Sequence, residues 1–336
     1  MYELLGVNII LAALLTINAV ATLAAAAVGR MLKRPLLRCT ARTRAEILFT
    51  LRIGPPAIAV VAIGAFLIPS YLMHEPYATK EPITVKLGAL AIASGIGVGF
   101  AFWRGLRSWL ATRSLLRKWM AVATTVEVEA IHIPTFTLPH PFPIIAVVGS
   151  WQPRLFIAEQ VLRTLSEEEL VAAMAHECGH LAARDNLKRS MIRASRAALF
   201  IIPCGRSLDR AWAEASEAAA DEHAAQESVN IAVNLASALV AIAKMIPIGD
   251  RQRLPTSVST FLNGDEEPQG VKSRVRRLLE LATSDSRLAV SSAPVIRLVP
   301  WIVLSLIVVA SITIESRPEV LASVHSAIEH FVAALS

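Results

Sequence analysis

Long apolar stretches separated by short polar ones dominate the first third of the chain. Residues 4–28 and 53–73 contain no charged side chain, and residues 83–103 contain only Lys86. A fourth uncharged stretch covers residues 298–314 near the C-terminus. A helix needs roughly 20 apolar residues to cross the hydrocarbon core of a bilayer. The pattern therefore predicts four membrane-spanning helices. The last is the shortest, and a buried helix of a soluble domain is its alternative.

Basic residues beside these stretches predict the orientation of the chain in the membrane. The loop after the first span contains a single acidic residue, Glu46. Its basic residues are Arg30, Lys33, Arg34, Arg38, Arg42 and Arg44. The segment after the third span contains Arg104, Arg107, Arg113, Arg117 and Lys118. Because positively charged loops stay in the cytoplasm, we expect the N-terminus outside and residues 104–297 inside. The first span lacks the charged start of a signal peptide, so we expect it to be retained.

Residues 104–297 predict one α+β domain between a membrane domain (1–103) and a C-terminal span with a short external tail (298–336). Period-two alternation and short apolar runs predict three strands, at residues 125–133, 144–148 and 154–157. The four prolines between residues 134 and 143 predict an irregular loop. Helical periodicity predicts helices at residues 166–182, 186–202, 207–226, 229–245 and 271–283. The fold class is thus mainly α, a multi-span membrane protein with a cytoplasmic α+β domain.

The strand at residues 144–148 is predicted to lie at the edge of this small sheet. An edge strand offers unpaired backbone groups to which an extended peptide can bind. We therefore expect residues 144–148 to hold a peptide substrate.

Residues 176–180, His-Glu-Cys-Gly-His, carry the clearest chemistry in the chain. Two histidines four residues apart lie on one face of a helix, so both imidazoles can bind one metal ion. Zinc lowers the pKa of a bound water to about 7, and Glu177 beside it can take a proton from that water. Ser166 and Glu169 have the spacing of a capping box and predict where this helix begins. Cys178 points away from the histidines and is predicted to pack in the core.

A third metal ligand is expected from the alanine-rich helix around residues 211–223. Glu217 and Asp221 are four residues apart, so their carboxylates share a face, which is unfavourable unless positive charge lies nearby. A zinc ion beside Glu217 and an imidazole N–H beside Asp221 would remove the conflict. A solvated acidic face is the alternative. Glu214 and Glu222 are weaker candidates, because neither has an aspartate four residues further on.

Composition agrees with a membrane protein. Hydrophobic residues make up 54% of the chain, and the mean hydropathy of +0.52 is too high for an ordinary soluble domain. The net charge of +6 is concentrated beside the spans, so membrane orientation and anionic lipid account for it, and no direct nucleic-acid binding is expected. The three cysteines form no C-x-x-C pair, which excludes a cysteine zinc site and a disulfide framework.

Several segments resemble the BlaR/MecR-type membrane metallopeptidases, which are gluzincins. They are GSWQPRLFI (149–157), LSEEEL (165–170), HECGH with RDNL (176–187), AW with EAAAD (211–221) and RVRRLL (274–279). The resemblance covers nearly the whole chain, four spans included, and implies a bacterial-type cytoplasmic membrane. For the site it implies Zn²⁺ bound by His176, His180 and Glu217, the general base Glu177, and Asp221 and Asp185 as residues that orient the ligands.

The resemblance implies a protein or peptide substrate, such as a cytoplasmic repressor, cleaved in regulatory signalling. Such transducers usually continue into a large external penicillin-binding domain, whereas only about 22 residues follow Ile314 here. Beta-lactam sensing by this chain alone is therefore not expected, and a separate sensor partner is the alternative. Membrane peptidases of the heat-shock and prenyl-protein-processing type share the same motifs, so a housekeeping quality-control or prenyl-protease-like role stays open. A non-catalytic scaffold with structural zinc also stays open, although such a site has no need of Glu177.

Overall fold

The computed structural model describes residues 2–76, 83–126, 133–149, 152–198, 205–226, 228–246, 258–260, 268–283 and 318–334. The helices in these residues are α1 (Tyr2–Met31), α2 (Lys33–Leu36), α3 (Ala41–Ala62), α4 (Ile68–His74), α5 (Val85–Met120), α6 (Glu159–Thr164), α7 (Glu167–Ala183), α8 (Asp185–Ala198), α9 (Arg206–Ala225), α10 (Val229–Met245), α11 (Pro268–Thr283) and α12 (Pro318–Ala334). The strands are β1 (Thr124–Thr125), β2 (Thr135–Leu138), β3 (Ile145–Val148), β4 (Arg154–Ala158) and β5 (Val258–Thr260). A π-helical segment, Ile63–Leu67, joins α3 to α4.

Three helices in the described residues are long and apolar enough to cross a membrane. They are Tyr2–Met31, the continuous helix Ala41–His74 and Val85–Met120, with 30, 34 and 36 residues. They contain the first two predicted spans and all of the third except residues 83 and 84, and they extend further because polar residues continue each helix past its apolar part. The fourth predicted span, residues 298–314, lies outside the described residues. Three apolar helices of this length indicate a membrane protein.

The three long helices pack through small and aromatic residues. Tyr71 donates its hydroxyl hydrogen to the carbonyl of Tyr2 at 2.7 Å, which ties α4 to the start of α1. Ser70 donates to the carbonyl of Leu321 at 2.8 Å, so α12 also docks at this end of the bundle. On α5, Gly97 permits a close approach, because a Cβ added there would clash with the backbone carbonyl of Ala198 on α8. The membrane helices are thus joined directly to a helix of the C-terminal half.

The five strands form one sheet in the order β1-β2-β4-β3-β5. β2 runs parallel to β4, and the other neighbouring pairs are antiparallel. The strands predicted at residues 144–148 and 154–157 are confirmed. Of the strand predicted at residues 125–133, β1 is the described part, and residues 127–132 lie outside the described residues.

The loop predicted at residues 134–143 is wrong for four of its residues, which form β2. Pro134 and Pro139 flank this strand and no proline lies within it, so the backbone N–H groups needed for pairing with β4 are present. All four residues of β2 are buried. Phe136 stacks on Phe156 of β4 with ring centroids 5.4 Å apart. The two prolines therefore set the ends of the strand and did not prevent it from forming.

The edge position predicted for residues 144–148 is also wrong. β3 pairs with β4 on one side and with β5 on the other, with Val147 opposite Ser259. β5 comes from a segment more than 100 residues further along the chain, and no local pattern predicted that pairing. The outer strand on this side of the described sheet is therefore β5.

Helices α7 to α11 confirm the predicted helical segments to within three residues wherever the structure describes their ends. The capping box predicted for α7 is present: the Ser166 hydroxyl accepts the N–H of Glu169, and Glu169 accepts the N–H of Ser166 at 3.0 Å. The sheet packs with α7 and α10 in one buried core, and Leu278 of α11 joins it. A second buried cluster joins α3, α8 and α9, with Leu48, Ile192 and Trp212 among its members.

Gly97→Ala should destabilise the protein, whereas Gly99→Ala should not. The added methyl group at position 97 forces α5 away from the Ala198 carbonyl, an overpacking that costs about 1–3 kcal/mol. Gly99 has nothing within 4 Å of an added Cβ, so alanine there is tolerated. Thermal unfolding of the purified protein in detergent measures both variants. Equal Tm values for the two would contradict the close α5–α8 contact.

Candidate metal centre

Two helices bring the three predicted metal ligands together. His176 and His180 lie on α7 and Glu217 lies on α9, and one potential ligand atom from each lies within 4.8 Å of the others. The Nε2 atom of His176 is 3.7 Å from Glu217 Oε2, and the Nε2 atom of His180 is 3.6 Å from Glu217 Oε1. All three residues are buried. The predicted histidine and carboxylate cluster is therefore present.

The close approach of α7 to α9 depends on the glycine inside the histidine motif. A Cβ added to Gly179 would lie 2.9 Å from the Cα of Ala220 and 3.2 Å from the Cβ of His223. Only glycine leaves room for the alanine-rich face of α9 at this distance. The spacing of the two helices in turn decides whether Glu217 reaches the histidine rings.

Each histidine ring is oriented by a carboxylate on its Nδ1 atom. Asp221 Oδ1 lies 2.9 Å from Nδ1 of His176, and Asp185 Oδ2 lies 2.7 Å from Nδ1 of His180. Asp185 also accepts the hydroxyl hydrogen of Ser216 at 2.6 Å. An Nδ1–H bonded to a carboxylate leaves Nε2 as the metal-binding atom and raises its basicity. Both predicted orienting residues thus lie on the ligand histidines.

The turn between α7 and α8 delivers Asp185 to His180. Arg184 ends α7 in the left-handed conformation, with φ 54° and ψ 40°, and its N–H donates to the carbonyls of His180 and Leu181. A positive φ is uncommon for a residue with a side chain. It allows the chain to reverse at once, so that α8 begins at Asp185 beside the ring it orients.

Two arginines of α11 complete the site, and sequence reasoning missed their role. Arg274 donates to Asp221 Oδ1 at 2.8 Å, and its Nη1 lies 3.3 Å from Glu217 Oε2. Arg277 donates to the other oxygen of Asp221 at 2.8 Å. Arg274 is only 6% exposed, so its charge balances the carboxylates inside the site. The available signal was the pair Arg274 and Arg277, three residues apart on one face of an amphipathic helix.

Glu177 is buried among these groups at 1% exposure. Neither of its carboxylate oxygens has a hydrogen-bond partner among the described residues. Burial raises the pKa of Glu177 to about 8, against the opposing effect of positive charge on His180. A carboxyl group with a pKa near neutrality can both accept and return a proton, which a general acid–base residue requires.

The two histidines have opposite pKa shifts. Burial lowers the pKa of His176 to about 4, with Arg274 acting in the same direction and Asp221 opposing it. Burial by itself would also lower the pKa of His180, but the carboxylates of Glu217 and Asp185 outweigh it and raise the pKa to about 10. Burial would raise the pKa values of Glu217 and Asp221, but nearby positive charge outweighs it and lowers both. Glu217 is thus ionised, as a metal ligand must be.

The donor set and its spacing fit a zinc ion. Two histidines and a glutamate are a known catalytic zinc set, and donor atoms at the corners of a tetrahedron around zinc lie about 3.4 Å apart. The measured 3.6 and 3.7 Å between ligand atoms are close to that value. Nε2 of His180 and Oε2 of Glu217 are buried and make no hydrogen bond in the described part of the chain, although Oε2 forms an ion pair with Arg274 Nη1 at 3.3 Å. A cation would satisfy both atoms.

The weaker candidates have other positions. Glu214 is exposed on α9, and Glu222 accepts the backbone N–H of Ala41 at 2.9 Å on the side that faces α3. Cys178 is partly buried rather than packed in the core. Asn186 donates to the carbonyls of Val147 and Gly149 and so fastens α8 to the sheet. A cavity of about 280 Å³ opens beside His180, between β3 and the α7–α8 turn.

Residues 146–248 match the model of peptidase family M48. The matched segment begins in β3, ends just after α10, and contains His176, Glu177, His180 and Glu217. The match supports a zinc metallopeptidase family, and it does not confirm the BlaR/MecR-type likeness in particular. No curated protein and no solved structure matches the chain.

Zinc affinity should increase with pH between about pH 7 and pH 9. His180 is protonated below its pKa of about 10, so zinc must displace a proton, and affinity falls as pH falls. One competing proton corresponds to about a tenfold loss per pH unit. His176, with a pKa of about 4, is already neutral and adds no dependence. Competition titrations with a chelator of known pH behaviour at pH 7, 8 and 9 measure the slope.

Asp185→Asn is the control for that slope. The Asp185 carboxylate helps to raise the pKa of His180, so its removal should flatten the dependence while the affinity itself decreases. An affinity that is constant across this range in the wild-type protein would contradict the assignment of His180 as a ligand.

Proposed function

We propose that the chain is a membrane-embedded, zinc-dependent endopeptidase that hydrolyses peptide bonds of a cytoplasmic or membrane-associated protein. One observation carries this proposal. The buried carboxylate of Glu177 lies between two histidines whose Nε2 atoms converge with Glu217, inside a segment that matches a peptidase family. Ligands alone would support any zinc site, whereas an unpartnered acid beside them supports hydrolysis.

His176, His180 and Glu217 would hold the metal, and Asp221 and Asp185 keep the two rings in the required tautomer. Zinc bound there would supply Lewis-acid activation of water and of a peptide carbonyl, together with positive charge that favours ionised Glu177. Glu177 accepts a proton from the attacking water and returns it to the amine nitrogen that leaves. Arg274 and Arg277 keep the buried carboxylates charge-balanced throughout.

We propose regulatory signalling as the role and a cytoplasmic protein, such as a repressor, as the substrate. The sequence resemblance supports this role, and a separate sensor protein is its natural partner. The alternative, a housekeeping peptidase for damaged or lipid-modified membrane proteins, uses the same chemistry. Substrate identification separates the two, because a single regulatory protein accumulates in the first case and many membrane proteins accumulate in the second.

Glu177→Gln should abolish peptide hydrolysis and leave zinc bound. The amide keeps the shape of the side chain but cannot accept the proton, so the rate should fall by at least about 10²-fold. Zinc content by metal analysis should stay near one ion per chain. Quantitative proteomics of cells that express either form should show full-length substrates accumulating with the variant.

Glu214→Gln is the matched control for this experiment, because Glu214 is an exposed glutamate on the ligand helix α9. It should cleave and bind zinc like the wild type. Cleavage that persists in Glu177→Gln would overturn the role of Glu177 as the general base, whereas a non-catalytic scaffold would show no cleavage even in the wild type.

We also propose that the catalytic site lies on the cytoplasmic side, with the N-terminus outside, as the basic loops indicate. Cys39 is exposed in the loop before α3, which this topology places in the cytoplasm. In a Cys178→Ala, Cys204→Ala background, a membrane-impermeant maleimide should label Cys39 only after the membrane is permeabilised. Pro76 is an exposed position between the second and third spans, which this topology places outside, so Pro76→Cys should react in intact cells. The opposite labelling pattern would reverse the topology.

A further inference from the structure

An arginine of the membrane helix α3 is buried against α8 and α9, two of the helices that contribute residues to the metal site. Arg52 is 2% exposed and precedes the uncharged part of the span by one residue. Its Nε donates to Asp209 Oδ1 of α9 at 2.5 Å, and its Nη1 donates to Ser195 of α8 at 2.8 Å. A buried charge needs such partners, because breaking a buried pair leaves an uncompensated charge.

Gly205, at the start of α9, lies close to this guanidinium. A Cβ added to Gly205, the residue that precedes α9, would lie 2.9 Å from both Cζ and Nε of Arg52. Glycine therefore lets the first turn of α9 come down onto the arginine. The guanidinium is thus surrounded by residues of α8, by residues of α9 and by Gly205.

A second contact joins the opposite ends of α3 and α9. The N–H of Ala41, the first residue of α3, donates to Glu222 Oε2 at 2.9 Å. The two contacts are 11 residues apart on α3 and 13 apart on α9, or about 17 Å and about 20 Å along the helix axes. The helices are thus antiparallel and joined at both ends of a shared segment.

The ligand Glu217 lies inside that shared segment, on a different face of α9. Leu208, Trp212 and Ala215 belong to the apolar cluster with α3, and their spacing places them on one helical face. Glu217 and Asp221, four residues apart, share another face, which points to the histidines. One face of α9 therefore binds the membrane helix while the other supplies a metal ligand.

We propose that Arg52 is a positioning residue of the metal centre, through which membrane helix α3 holds α9 where Glu217 reaches His176 and His180. The inference rests on the proposed function only in that the site binds zinc. It makes the ligand geometry depend on a helix that enters the bilayer. Moving α3 relative to α9 would then change metal retention before it changed anything else in the site.

Zinc release from the purified full-length protein in detergent tests this proposal. Zinc-loaded protein is mixed with excess 4-(2-pyridylazo)resorcinol, and the release rate is followed by absorbance. Arg52→Gln should release zinc about tenfold faster than the wild type, an effect at the lower end of those seen for residues that support metal ligands. Arg52→Lys, which keeps the charge and one donor, should restore the rate to within about threefold of the wild type.

Arg196→Gln is the matched control. Arg196 is 48% exposed on α8, and its Nη1 lies 3.8 Å from the other oxygen of the same aspartate. Removing this charge should leave zinc release unchanged. Thermal unfolding of the metal-free forms in the same detergent reports any general loss of stability separately. A lower Tm of Arg52→Gln with wild-type zinc release would overturn the proposal and leave Arg52 a stability residue.

A second variant covers poor folding of Arg52→Gln. The double change Arg52→Gln, Asp209→Asn replaces the buried ion pair with two neutral amides that can still bond to each other, so no charge is left uncompensated. It should fold and still release zinc faster than the wild type, and wild-type release would contradict the proposal. A wild-type chain that binds no zinc would overturn the proposed function and this inference together. Tight wild-type binding with equal release from Arg52→Gln overturns the inference alone.

Discussion

Four carboxyl groups are buried in one small site, and the positive charge that compensates three of them explains how the surrounding helices are arranged. Glu177, Asp185, Glu217 and Asp221 are each less than 9% exposed. Ionised groups are kept in a protein interior only when partners satisfy them. Histidines of α7 and arginines of α11 supply those partners to Asp185, Glu217 and Asp221, so α7, α8, α9 and α11 must converge on the same point. A bound divalent cation would add positive charge to a site where arginines already balance much of the negative charge.

Local sequence patterns predicted most of the site but not the arginines of α11 that balance its negative charge. The four-residue spacings of His176 with His180 and of Glu217 with Asp221 are properties of single helices, so the sequence shows them directly. Asp185 follows the motif, and its role came from the resemblance. Arg274 lies 98 residues from the histidine it contacts, and nothing in its own segment specifies that contact. For the same reason β5 was missed, since its pairing with β3 joins distant parts of the chain.

The membrane helices and the helices of the metal site do not form separate layers. α5 continues through residues 103 and 104 without a break, α3 binds α9 at both ends of a shared segment, and Gly97 brings α5 against α8. The hydropathy pattern locates the apolar part of each helix but is blind to such contacts. These contacts depend on two single residues, Arg52 and Gly97. Their neighbours in the sequence resemble those in any membrane span.

Helix α5 connects the apolar membrane helices rigidly to the sheet. Its last turn ends in the sheet core, where Trp119 packs edge-on against Phe156 with ring centroids 5.1 Å apart. From Arg104 to Trp119 the helix rises about 22 Å, so it sets the distance between its own apolar part and the sheet. The strand β3, which lines the cavity beside His180, is therefore held at a fixed distance from the apolar part of α5.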